Sequence, residues 1–131
     1  MKLIENSQIP EAIKPAGTVH EIIVTHKGNF LAFSTHNCPF EEQLSIQLFD
    51  TGGEELERID LYGAYAGGLF TLKGIGDSWV EFTFWSEDPM RLIYHDQPRW
   101  VVRASLGVHY TRRFSRRHMV VGAHLPRINI F

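Results

Sequence analysis

Four arginines, Arg112, Arg113, Arg116 and Arg117, fall within six residues of "VHYTRRFSRRHMVV" (108–121). A guanidinium is a planar, permanent cation with a fork of donors that fits a carboxylate or phosphate bidentately. As a helix the stretch has no clean apolar stripe, because Val108 and Met119 fall among the arginines. As a strand it sorts into two faces: Val108, Tyr110, Arg112, Phe114, Arg116, His118 and Val120 share one, and His109, Thr111, Arg113, Ser115, Arg117 and Met119 share the other. The second face is expected to be solvated. On the first, Arg112 and Arg116 flank Phe114 on a side that otherwise looks inward. Those two either lay their stems on aromatics and reach water, or line a concavity and aim at a bound anion. A turn at Ser115–Arg116 would instead put all four at a hairpin tip, but no Gly or Asn supports it.

The charge distribution gives this cluster context. Residues 1–90 hold Lys2, Lys14, Lys27, Arg58 and Lys73 against fourteen acids; residues 91–131 hold eight arginines, Arg103 among them, and only Asp96 as an acid. The counts give −9 for the first part and +7 for the second, summing to the formal net charge of −2. Such asymmetry marks a basic interaction surface or two parts that pair with each other in the fold.

Other chemistry is thinly represented. His20 and His26 share a strand face but stand about 20 Å apart at ~3.3 Å per residue, too far to clasp one ion. Neither HxH nor HExxH occurs, so no metal is expected. Cys38 lies two residues after His36 in "THNCPFEE", a spacing open to thiol activation but one that isolated loop cysteines also show. There is no GxSxG, GxGxxG or phosphate-loop spacing, and no cofactor is expected. His95 or His109, with Glu81 and the arginines, offers the residue types for acid–base attack on a phosphodiester. Tyr94, Trp100, Tyr110 and Phe114 beside arginines are the materials of a single-strand nucleic-acid platform, although pI ≈ 6.4 and few lysines argue against one.

Strands must carry these groups, because apolar and polar residues alternate with a period of two almost throughout. The pattern predicts hairpins 19–26 with 30–35, 44–50 with 56–62, 68–73 with 79–86, and 90–95 with 99–104. The first turns through Gly28 and Asn29, and the last through "DQP". Stretch 108–121 makes a ninth strand. The only helical candidate is "SQIPEAIK" (7–14). The expected architecture is a single all-β domain over 1–131, mainly antiparallel, a curled meander closed as a barrel or split into a two-layer sandwich. Ile23, Phe33, Leu48, Ile59, Phe82, Phe84 and Trp100 are its expected core.

A single cysteine excludes an internal disulfide framework, and neither a signal-like h-region nor a bilayer-length apolar run is present. These features predict a cytoplasmic chain without membrane association. The function they suggest is non-catalytic engagement of an acidic macromolecular partner, as an inhibitor or immunity-type protein would do. The surface would comprise Arg112, Arg113, Arg116 and Arg117 with Phe114, Tyr110, Arg103 and His118. The alternative is a small phosphate-directed enzyme or an RNA-binding domain with His and Arg on a concave sheet. The apolar end "HLPRINIF" (124–131) is expected to dock on its own sheet or on a second subunit as a homodimer contact.

Overall fold

The computed structural model describes residues 1–36, 41–64, 69–84, 87–101, 108–110 and 115–123, with backbone alone at 41–42, 63–64, 99–101, 115–116 and 123. Among the described residues, ten strands form two antiparallel sheets that are not closed into a barrel. The first sheet places β1 (Lys2–Leu3), β2 (Val19–His26), β3 (Asn29–His36), β4 (Glu41–Phe49), β5 (Glu55–Ala64) and β9 (Val108–Tyr110) side by side in that order. The second has the order β10 (Ser115–Ala123), β8 (Met90–Val101), β7 (Trp79–Thr83), β6 (Thr71–Ile75).

The alternation explains the layering. Leu31 and Phe33 of β3, Leu44, Ile46 and Leu48 of β4, and Ile59 and Leu61 of β5 form one inner face. Val80 and Phe82 of β7 and Leu92 of β8 form the other, and all lie in one buried cluster. At its centre the Phe33, Phe70 and Phe82 rings meet with centroids 5.5–5.6 Å apart. The expected core residues Phe33, Leu48, Ile59, Phe82 and Phe84 belong to this cluster. Ile23 is equally buried but on the outer face of the first sheet, beneath a strap formed by the N-terminal segment. The side chain of Trp100 lies outside the described residues.

That strap replaces the helix expected at 7–14. Only a 3-10 turn, Asn6–Gln8, forms there. Pro10 has no amide to give a helix, and Ile4, Ile9 and Ile13 instead cover Ile23, Ala32 and Phe49. The strap is tied down where the Ala16 amide donates to Gln47 Oε1 (2.8 Å) and the Gly17 amide to Ser34 Oγ (2.9 Å). It also passes so close to the β4–β5 turn that a Cβ on Gly53 would collide with the Ala12 carbonyl oxygen. Gly53 has φ +88, a left-handed conformation unfavourable for side-chain-bearing residues. Gly53→Ala is therefore expected to destabilise the fold by more than about 1 kcal/mol, read as a lower urea midpoint at unchanged slope.

Three sequence expectations are corrected. The β2–β3 turn is Lys27–Gly28, with φ 52 and 81, and Asn29 already pairs with His26. Two successive positive φ values make the tight hairpin, so the turn sits one residue earlier than "GN" suggested. Second, the turn expected at 96–98 does not form: β8 runs unbroken from Met90 to Val101. Its pairing to β10 goes from Tyr94↔Met119 to Arg99↔Arg117, so His95, Asp96, Gln97 and Pro98 stand opposite the single residue His118. A bulge accommodates Pro98, whose missing amide costs no ladder bond there. Third, 108–121 is two strands in different sheets. β9 joins β5 (Leu61↔Val108, Ile59↔Tyr110) and β10 joins β8.

A candidate binding edge where the two sheets meet

The crossing from β9 to β10 determines where the aromatic and basic residues go. Tyr110 pairs with Ile59 at the edge of the first sheet, and its hydroxyl accepts the amide of Val121 from the second (3.2 Å). Burial pushes the Tyr110 phenol above its ordinary value, against the Val121 hydrogen bond and the Arg117 charge. Arg117 stacks on the same ring, with Cζ 4.8 Å from the centroid.

Arg117 does not lie on the solvated face expected for it. It is only 3% exposed, and Met119 on the same predicted face is fully buried. Arg117, Met119 and Val121 are all buried, so the odd-numbered positions of β10 face inward on both sides of the bulge, whose extra residues lie in β8. The Arg117 guanidinium donates through Nη2 to the Arg58 carbonyl (2.6 Å), while Nε sits 3.5 Å from Glu57 Oε1, a Coulombic contact too long for a hydrogen bond. Burial lowers its pKa and the Glu57 charge opposes that shift; a guanidinium remains charged throughout.

Glu57 is the acceptor at this junction. Reaching across from β5, its carboxylate takes the amide of His118 (3.0 and 3.1 Å to the two oxygens) and that of Met119 (3.1 Å). In a regular strand consecutive amides point opposite ways; the bulge lets both converge on one carboxylate. The His118 ring lies 2.8 Å from the His95 carbonyl through Nδ1, so that nitrogen carries the proton and donates. It stacks on Tyr94 (5.2 Å, 13°), and His26 of β2 meets the same ring edge-on (4.6 Å, 71°).

Of the other predicted site residues, Arg103, Arg112, Arg113 and Phe114 lie outside the described residues. Arg116 is described by its backbone, paired with Trp100. Cys38 and the end segment 124–131 also lie outside. The last described rung of the ladder is Val101↔Ser115, and Arg99 faces Arg117 along it. The charge asymmetry is partly met internally, since Glu81–Arg91, Glu57–Arg117 and Lys27–Asp96 each join the acidic part of the chain to the basic part.

Of the groups offered for phosphodiester chemistry, His109 and Glu81 are not brought together. His109 is exposed on the outer face of the first sheet against Tyr62 (4.8 Å, 86°), while Glu81 lies on the outer face of the second, held by Arg91 (3.2 Å). No group of three metal-binding side chains occurs among the described residues. Among the described residues no helix is long and apolar enough to cross a membrane.

A serine–histidine–aspartate grouping does exist on that outer face, and sequence inspection missed it. Ser45 Oγ donates to Asp60 Oδ1 (2.7 Å) and lies 3.0 Å from His36 Nε2. With its one proton directed to Asp60, the serine can only accept from His36, so Nε2 is already protonated and cannot act as the serine's base. Ser45 is also fully buried, under Gln43 and Arg58, both of which donate to it at 3.4 Å. Arg58 clamps both Asp60 oxygens (3.0 and 3.1 Å). This is a satisfied polar network, not a nucleophile. Its signal was available in the hairpin register, which places Ser45 opposite Asp60.

The class these observations define is a two-sheet antiparallel β fold with a polar, internally charge-matched junction. No protein-family model matches the chain, and neither a curated protein nor a solved structure matches it significantly.

Proposed function

We propose that the chain is a non-catalytic binding module that engages an acidic macromolecular partner through the arginine-rich segments that adjoin, in sequence, the last described rung of the β8–β10 ladder. One observation carries this reading, the Val101↔Ser115 rung. Arg103 follows Val101 by two residues, and Arg112 and Arg113 precede Ser115 by three and two. Arg99 and Arg116 belong to the ladder itself. Arg117 drops out of the binding set because Glu57 already answers its charge. The remaining arginines suit bidentate capture of carboxylates on a protein partner. The lone cysteine fits a reducing, cytoplasmic setting.

The test is fluorescence anisotropy with labelled poly-glutamate and with a mixed-sequence single-stranded RNA, at about 0.05 and 0.3 M salt. Poly-glutamate is expected to bind and to be released by salt. The combined Arg112→Ala, Arg113→Ala and Arg116→Ala variant should lose about tenfold or more in affinity, while its unfolding midpoint stays at the wild-type value. Unchanged binding by that variant overturns the proposal. Tighter binding of RNA than of poly-glutamate favours the nucleic-acid alternative.

A further inference from the structure

We propose that the His26 end of the sandwich is an acid-sensitive latch: protonating His26 releases the β2–β3 turn from the second sheet. The latch is a cluster of groups from both sheets. Tyr94 of β8 is held between His26 of β2 and His118 of β10. Beside it Lys27, in the turn itself, pairs with Asp96 in the β8 bulge. The amino group of Met1 is anchored nearby, donating to the carbonyls of Gly76 (3.2 Å) and Asp77 (3.0 Å).

His26 is the weak member. Its Nε2 is buried without a hydrogen-bond partner, an arrangement that suits a neutral, unprotonated nitrogen and not an N–H left without an acceptor. A proton there would create a cation where two already stand, the Met1 amino group and Lys27. Asp96 favours the charged form, but its carboxylate is engaged by Lys27. The Tyr94 ring offers partial cation–π compensation. His118 adds a second imidazole across Tyr94, and its amide holds Glu57. Burial, followed by the Met1 and Lys27 charges, keeps the His26 pKa below the ordinary imidazole value.

The direction of the effect follows from linkage. A base whose folded pKa is depressed contributes full stability above its unfolded pKa, ~6.5 for histidine, and loses it as pH falls below that value. The region least stable in acid should therefore be Thr25–Lys27 with Tyr94–Asp96, while the centre of the first sheet is unaffected.

Amide exchange on the intact chain, normalised to the unstructured rate at each pH, reads this directly. Between about pH 7.5 and 5.5, protection at Thr25–Lys27 and Tyr94–Asp96 should fall several-fold relative to Phe33 and Ile46, up to the limit of about tenfold that an opened imidazole of pKa ~6.5 sets at pH 5.5. His26→Phe keeps a ring against Tyr94 without a titrating nitrogen and should abolish the drop; His20→Gln should leave it intact. A drop that persists in His26→Phe, or that is absent from the wild type, overturns the proposal. If His26→Phe does not fold, the wild-type His26 ring titration followed by NMR decides. A midpoint below the ordinary imidazole value supports the latch, and one at or above it refutes the latch.

Discussion

Phe82→Ala should lower stability by about 3–5 kcal/mol, the range for deleting a fully enclosed phenylalanine. Phe82 is wholly buried, stacked on Phe70 and edge-on to Phe33, so its ring touches partners from both sheets. No single strand can shift to fill the space, because β3 is pinned between β2 and β4 and β7 between β6 and β8. The cavity term therefore adds to the lost transfer free energy. Equilibrium urea unfolding measures it, with slope unchanged and midpoint reduced. Leu69, the most exposed large apolar residue among those described, is the matched control: Leu69→Ala should change stability by less than about 0.5 kcal/mol. A Phe82→Ala loss below about 1 kcal/mol would mean that the sheets do not pack as described.

Glu57→Ala should cost about as much, ~3–5 kcal/mol, for a different reason. The substitution leaves the Arg117 guanidinium, 3% exposed, without its counter-charge, and strips the acceptor from the His118 and Met119 amides. Removing one member of a buried pair leaves the other charge in a poor solvent, which costs more than the pair contributed. The double variant Glu57→Leu with Arg117→Met removes both charges and should lose clearly less than the sum of the single changes. Additive losses would show that the two residues act independently and that the junction is not an ion-paired unit.

The local hairpins could be read from the sequence because their information is local. Leu44, Ile46 and Leu48 against Ile59 and Leu61, or Val80 and Phe82 separated by Glu81, announce strand, face and partner within a short stretch of chain. The errors arose where a residue's role depends on a distant one. Pro98 reads as a turn because a proline in a strand has no obvious place; only β10 opposite it shows that the extra residues are absorbed as a bulge. Arg117 reads as exposed because a charge normally is, and nothing near it in sequence reveals Glu57 sixty positions earlier. The candidate site was therefore legible in composition, as a dense arginine segment, but not in partition. The sequence did not separate Arg117, the arginine that knits the sheets together, from the other arginines of its cluster. The Ser45 network was hidden for a related reason: Ser, His and Asp are ordinary on an outer face, and their proton directions appear only with distances.

The split of β9 and β10 between the two sheets also bears on how the chain acquires its structure. β2 to β5 can assemble as successive neighbours, and β6 to β8 likewise, each by closing short loops. β9 and β10 cannot join in that way. β9 must find Leu61 across the sequence of β6, β7 and β8, and β10 must return to β8 after that excursion. Such distant contacts slow folding, because the loop entropy is lost before the pairing compensates for it. During synthesis, the flank of β8 and the edge of β5 stay bare until this last stretch has left the ribosome. In that interval the nascent chain exposes open strand edges and is most prone to pair wrongly. The Glu57–Arg117 junction, which joins the early strands to the last one, would mark the end of this vulnerable period.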